Sequence, residues 1–98
     1  MTLTGKQKNY LRGLAQTKKP IFQVGKEGVT PILVHNISEY LLKHELIKIV
    51  LLETCPQDVI ATSEIVEAQG IAVVQVIGRK MVLYQRNPKL EHQIVLPR

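Results

Sequence analysis

The run LIKIVLL at residues 46–52 decides the fold, because it is almost continuously apolar and rich in β-branched residues. A strand with one solvent-exposed face alternates apolar and polar residues, whereas this run is apolar at nearly every position. It is therefore predicted to be a central strand that is buried on both faces. The segments before and after it supply the other strands and the helices.

A first helix is predicted near the start of the chain, because Thr4 and Gln7 have the Thr-x-x-Gln spacing of a capping box. Basic residues of this helix fall on parts of its surface away from the core. Apolar residues recur at helical spacing and are predicted to face the core. These are Leu3, Tyr10, Leu11 and Leu14.

Two further helices and a short strand are indicated by local signals. Residues 21–24 (IFQV) form a β-prone run. A second helix is predicted with Thr30 as its N-cap and Pro31 as its first residue, ending near residues 43–44. A third helix is predicted from about residue 57 to 68. Its candidates for burial are Ile60, Ile65 and Val66.

The last strands form a hairpin, because the runs 71–77 (IAVVQVI) and 81–84 (MVLY) are separated only by Gly78-Arg79-Lys80. The resulting order is α-β-α-β-α-β-β, and its alternation favours parallel neighbours joined by right-handed crossovers. We predict one domain over residues 1–98, of the α/β (α+β) class, with a four-stranded mixed sheet packed by helices. Residues 94–96 (IVL) are expected to form a short edge segment.

The composition is that of a small globular domain, with 98 residues, 45% of them hydrophobic and 21% charged. The single cysteine, Cys55, excludes an intramolecular disulfide and a zinc site of four Cys or of Cys2His2 type. The N-terminus has no apolar run of signal-peptide length, and no stretch approaches the roughly 20 residues of a membrane span. These features predict a soluble, cytoplasmic protein without a membrane partner.

The formal net charge of +5 is unevenly distributed along the chain. Residues 1–26 carry six basic residues and no acidic one, residues 27–67 are mainly acidic, and residues 68–98 are again basic. A small basic domain favours a polyanionic partner. Two interpretations are open: two separate solvated termini, or chain ends that meet in space and form one basic face.

The sequence contains no motif that indicates catalysis, a metal or a cofactor. His44-Glu45-Leu46-Ile47-Lys48 begins like a zincin motif but has Lys48 where the second His is needed. Cys55 lacks a paired His or a second Cys, and no nucleophile elbow, Walker loop or dinucleotide fingerprint occurs. We therefore predict no enzyme, no catalytic residue, no metal and no cofactor.

Gly25-Lys26-Glu27-Gly28, between the first strand and the second helix, is the loop with the clearest binding chemistry. Two glycines let a backbone approach a ligand closely, and a following helix offers free N–H groups and the positive end of its dipole. Lys26 adds a positive charge, so the loop is similar to the Gly-x-x-Gly clamp of KH modules. Glu27 is expected to point away from an anion. A plain strand-to-helix turn is the alternative interpretation.

Several segments together resemble a known family. They are Leu3-Thr4-x-Lys6-Gln7-Lys8, Val24-Gly25-x-x-Gly28-Val29-Thr30, His44-Glu45-Leu46-Ile47-Lys48, Val74-Gln75-Val76-Ile77-Gly78 and Val82-Leu83-Tyr84. Their order and content are similar to the single-domain YhbY-like proteins, the bacterial members of the CRM (chloroplast RNA splicing and ribosome maturation) family. The resemblance covers essentially the whole chain.

The resemblance implies a fold akin to the C-terminal domain of bacterial translation initiation factor three. It also implies RNA binding, with ribosomal RNA of precursor large ribosomal subunits as the target and ribosome assembly as the role. Carried over from the family are Gly25 and Gly28 of the glycine loop and the helix-one surface of Lys6, Lys8 and Arg12. The other expected RNA contacts are Lys18, Lys19 and Lys26, with Arg79 and Lys80 as further candidates.

The sequence departs from the family pattern after the Leu-Tyr pair. The family usually has Arg or Lys there, whereas this chain has Gln85 and places its basic residue at Arg86, which a continuing strand would point to the opposite face. No aromatic platform is predicted, so recognition is expected to depend on backbone and shape. A monomer is expected. The alternative function is an adaptor that docks on a ribosomal protein or an assembly GTPase.

Overall fold

A computed structural model describes residues 3–87, 89–90 and 93–97. The order of helices and strands confirms the predicted α-β-α-β-α-β-β arrangement. The helices are α1 (Gly5–Ala15), α2 (Pro31–His44) and α3 (Val59–Ala68). The strands are β1 (Phe22–Val24), β2 (Leu46–Leu51), β3 (Ala72–Ile77) and β4 (Lys80–Tyr84).

The strands form one mixed sheet in the order β1-β2-β4-β3. β1 pairs in parallel with β2, whereas β4 lies antiparallel to both β2 and β3. β2 is therefore a central strand, as the run LIKIVLL predicts. The connection through α3 leaves a space between β2 and β3 that β4 fills, so within the described chain parallel neighbours occur only at β1 and β2.

Side chains alternate along the strands, so the sheet presents two different faces. One, the α2/α3 face, packs against α2 and α3; the other, the α1 face, packs against α1. The core on the α2/α3 face consists of Val24, Ile37, Leu41, Ile47, Ile49, Leu51, Val66, Ile71, Met81 and Leu83. The core on the α1 face consists of Leu3, Leu11, Ala15, Leu46, Val74, Val82 and Tyr84.

The predicted helix positions are correct, but some predicted core residues are not. Leu3 and Leu11 are buried, whereas Tyr10 and Leu14 are 43% and 39% exposed, because α1 contacts the sheet along a narrow stripe. In α3, Thr62 and Val66 face the core one turn apart, so Ile60 is turned outward and is 63% exposed.

The chain after β4 forms no strand in residues 93–97, contrary to the expected edge segment. It is fastened instead by the fully buried side chain of Glu45. Glu45 ends α2 with a left-handed backbone (φ 60°), and its Oε2 accepts a hydrogen bond from the Asn87 N–H at 2.8 Å. Its Oε1 accepts from the Ile94 N–H at 2.7 Å, and Gln7 Nε2 donates to the Pro97 carbonyl at 3.1 Å.

Candidate nucleic-acid interface

The fold separates charge by layer. Among the residues that the structure describes, α1 and the α1 face of the sheet carry no acidic side chain. Of the seven acidic residues of the middle segment, Glu39, Glu64 and Glu67 lie on α2 and α3, Glu45 and Asp58 cap these helices, and the other two lie in turns. The structure therefore supports the interpretation in which the basic chain ends meet on one side.

α1 covers only part of its face of the sheet. The uncovered part, which we call the open half, carries Lys48, Val50 and Lys80. Lys48 pairs with Val82 and Lys80 pairs with Val50, two residue pairs further along the ladder, so both lysines point to the α1 face. Lys48 and Val50 are half-buried and Lys80 is exposed. The prediction that LIKIVLL is buried on both faces is thus wrong for this half of the strand.

Lys48 is a candidate binding residue that the sequence prediction missed. The sequence does contain a signal for it, because the ammonium group of a lysine within an apolar strand must reach solvent. Only the position of α1 shows which part of the sheet is open to that solvent. We define the basic layer as the exposed or half-buried basic residues of α1, of the α1–β1 connection and of the open half. Its members are Lys6, Lys8, Arg12, Lys18, Lys19, Lys48 and Lys80.

Two clefts connect the α1–β1 loop to the open half of the sheet. Lys19 lines a shallow cleft of about 680 Å³ with Val50 and Lys80. A smaller cleft, of about 200 Å³, is lined by Lys18, Lys19 and Lys48. The structure thus brings predicted residues from both ends of the chain to one surface.

On α1, Lys8 and Arg12 lie one turn apart on the same flank, and Lys6 is exposed on a different part of the helix. Lys8 lines a third cleft, of about 600 Å³, together with Tyr84, Arg86 and the α3 residue Glu67, so this cleft contains one acidic side chain. The argument that Arg86 points to the opposite face of a strand does not apply, because β4 ends at Tyr84. Arg86 is therefore a neighbour of the basic α1 surface.

The Gly25–Gly28 loop is a β-turn in which the Gly28 N–H donates to the Gly25 carbonyl at 2.9 Å. Gly28 has φ +68°, and a Cβ at this position would approach Gln57 Oε1 to 2.6 Å. A Cβ at Gly25 would make only an ordinary contact, 3.8 Å from Leu52 Cδ1. Backbone conformation and packing thus explain Gly28 without a ligand.

The tip of this turn carries both Lys26 and Glu27, which are exposed. The turn and α2 are separated by two residues, and the side chain of Thr30 accepts a hydrogen bond from the Leu33 N–H at 3.1 Å. One donor of the helix N-terminus is therefore already used. The two tip residues carry opposite charges, and a contribution of the turn to RNA binding stays a prediction.

Arg79 lies at the same end of the sheet as this turn. Its Nε donates to the Leu51 carbonyl at 3.0 Å, and its Nη2 donates to the Leu52 carbonyl at 2.7 Å. Two of its donors are thus engaged at the end of β2. Arg79 stabilises the strand end, and a contribution to RNA binding stays a prediction.

The described residues also bear on metal binding and on membrane insertion. No three His, Cys, Asp or Glu side chains among them form a group that could hold a metal ion. In the same part of the chain, no helix has the length and apolar character to cross a membrane. Cys55 is half-buried, with its Sγ 3.9 Å from Thr62 Oγ1.

A small mixed α/β domain with one basic side has the features of a nucleic-acid-binding module. The chain belongs to the CRS1/YhbY (CRM) domain family, whose model matches residues 3–85.

It is 44% identical over 96 residues to the "Probable RNA-binding protein YqeI" of Bacillus subtilis, covering 97% of this chain and 99% of that protein. It is 37% identical over 98 residues to an "RNA-binding protein" of Haemophilus influenzae, covering 99% and 97%. Its structure is similar to the solution structure of the hypothetical protein SAV1595 from Staphylococcus aureus, with a TM-score of 0.79, 41% identity and coverage of 98% and 100%. The predicted family and fold class are confirmed.

Proposed function

We propose that this protein binds RNA through its basic layer. The observation that carries the proposal is the separation of charge: basic residues lie on α1 and the open half of the sheet, where the described residues include no acidic side chain. The names of the relatives from Bacillus subtilis and Haemophilus influenzae support the same function. Family and relatives identify a binding protein rather than an enzyme.

The lysines around the two clefts are the proposed centre of this surface. These lysines bind phosphates of the RNA backbone, because lysine ammonium groups act as point charges toward phosphate. They are Lys18, Lys19, Lys48 and Lys80. The α1 residues extend the contact on one side. The Gly25–Gly28 turn and Arg79 line none of the three clefts and contribute less. The α1 residues in question are Lys6, Lys8 and Arg12.

We further propose that the RNA is ribosomal RNA of precursor large ribosomal subunits and that the protein assists ribosome assembly. The support is the family resemblance, together with a surface that suits the phosphates of a folded RNA. Crosslinking the protein to RNA in cells and sequencing the attached fragments tests this target. Fragments that come mainly from messenger RNA would contradict the ribosomal part and leave RNA binding intact.

A paired-charge experiment tests the surface itself. The variant Lys19→Gln/Lys80→Gln removes two charges from one cleft, whereas Lys43→Gln/Lys89→Gln removes two exposed charges that line none of the three clefts. Binding of a labelled large-subunit RNA fragment is measured by anisotropy across a salt series. The first variant should reduce the slope of log K against log salt by about 1.4–1.8, and the control should not. Equal slopes for both variants would contradict the assignment.

The adaptor alternative makes a different prediction. If the protein docks on a ribosomal protein or a GTPase, its cosedimentation with precursor subunits should survive nuclease digestion of accessible RNA. Binding through the basic layer instead predicts that nuclease digestion releases the protein from the precursor subunits.

A further inference from the structure

Two stacked aromatic rings lie at the C-terminal end of α2. Tyr40 and His44 are one helical turn apart, with ring centroids separated by 4.2 Å and planes inclined by 26°. The Tyr40 ring also contacts the ring of Phe22 in β1 edge-on, with ring centroids 5.8 Å apart and planes inclined by 88°. Phe22 and Tyr40 pack against the core of the α2/α3 face. The His44 ring therefore stacks on a side chain that the core holds in place.

These rings border the smaller of the two clefts in the basic layer. Tyr40 and His44 line it together with Lys18, Lys19 and Lys48. His44 is exposed and Tyr40 is half-buried, and among the residues that the structure describes no acidic side chain lines the cleft. An aromatic surface and three cations therefore occupy one small site, which was not apparent from the sequence because its parts come from three separate segments.

This combination matches the chemistry of a nucleotide. Every base has a π face that stacks on a fixed ring, and the phosphates on either side are attracted by lysines. A free phosphate would use the lysines without the rings. An acidic peptide would likewise have no flat group to match the exposed imidazole.

We propose that one unpaired nucleotide of the bound RNA stacks its base on His44, while Lys18 and Lys48 bind the adjacent phosphates. This inference rests on the proposed RNA-binding function and adds a contact that depends on the base. It differs from the expectation of recognition by backbone and shape alone. Tyr40 is a positioning residue, since it holds the ring on which the base lies.

The test uses two RNA hairpins that differ in one group. One carries a single bulged adenosine, and the other carries an abasic ribose at the same position. Dissociation constants of both are measured by fluorescence anisotropy with the full chain. We expect the adenosine hairpin to bind about tenfold more tightly, the effect of one base stacked on an aromatic side chain.

Variants of the ring separate stacking from charge and from folding. His44→Ala should abolish the preference for adenosine and leave the affinity for the abasic hairpin within about twofold of wild type. His44→Phe should retain the preference, because the phenyl ring also stacks. His35→Ala is the matched control, an exposed histidine elsewhere on α2, and should behave as wild type.

The outcomes are distinct. If both hairpins bind wild-type protein equally, or if His44→Ala weakens both to the same extent, the stacking site is wrong while RNA binding stands. If neither hairpin nor any large-subunit RNA fragment binds, the proposed function fails and the stacking site fails with it. The proposal is supported if His44→Ala loses the preference for adenosine while His44→Phe and His35→Ala retain it.

Discussion

The Glu45 carboxylate is fully buried and accepts hydrogen bonds from two backbone N–H groups of the segment after β4. Glu45→Ala leaves the Asn87 and Ile94 donors without this acceptor, and we expect it to lower the free energy of unfolding by about 2–4 kcal/mol. Glu45→Gln retains an amide oxygen as acceptor and should cost about half as much. Urea denaturation measures both, and an alanine variant as stable as wild type would show that these bonds contribute nothing.

Tyr84 gives a prediction about alkaline pH. Burial raises the pKa of its phenol above the ordinary value of about 10, with a further increase from the Glu45 carboxylate and an opposing effect of Arg86. The folded protein therefore retains a proton that the unfolded chain releases above about pH 10, so stability falls as pH rises through the alkaline range. Tyr84→Phe should make this fall shallower, as measured by urea denaturation between about pH 8 and 11.

The same variant tests the unpartnered hydroxyl. The buried Tyr84 oxygen has no hydrogen-bond partner among the described residues. At neutral pH we therefore expect Tyr84→Phe to change the free energy of unfolding by less than about 0.5 kcal/mol, or to raise it. A large loss at neutral pH would show that the hydroxyl is hydrogen-bonded in solution.

At the level of elements, the turn between β1 and α2 offers a matched pair of glycines. Gly28→Ala places a Cβ at φ +68° and against Gln57, so we expect it to lower the free energy of unfolding by about 1–3 kcal/mol. Gly25→Ala meets only ordinary contacts and should be close to neutral. Thermal unfolding measures both. If Gly25→Ala folds normally but loses RNA affinity, the turn approaches RNA as a clamp would.

The helix caps and the strands could be predicted because their signals are local. The Thr4–Gln7 capping box and the Thr30 cap are both present, as their spacing predicts. Burial within a helix was harder to predict, because it depends on what lies opposite. Tyr10 and Ile60 are apolar and correctly spaced for a helix, but neither faces the sheet.

For the whole molecule, the separation of charge predicts a strong dependence of binding on salt. If the basic layer neutralises about five phosphates, log K should fall with log salt at a slope of about −3.5 to −4.5. Titrations of an RNA fragment at several salt concentrations measure it. An affinity independent of salt would contradict binding through this layer.

The acidic side supplies the control for this prediction. Glu64→Gln raises the net charge by one on α3, at an exposed residue that lines none of the three clefts, and exposed charges separated by more than a screening length of about 8–10 Å interact weakly. We expect this variant to bind RNA within about twofold of wild type. A large gain would show that net charge, rather than its placement, determines binding.

The candidate site was only partly predictable from the sequence. The uneven charge of the chain ends is visible in the residue order, but whether the ends meet depends on the topology. Lys48 and the Tyr40–His44 pair were missed, because each acquires its neighbours only in the folded sheet. The direction of Arg86 was not predictable for a similar reason, since it depends on where β4 ends.

The position of β4 between β2 and β3 has a consequence for how the chain folds. The apolar strand β2 is synthesised before its second hydrogen-bonded neighbour, residues 80–84, and α3 and β3 lie between the two in the sequence. The central ladder is therefore a long-range pairing that local structure cannot nucleate, and such pairings slow folding. Until the β3–β4 hairpin inserts, a nascent chain exposes an apolar strand edge of the kind that aggregates.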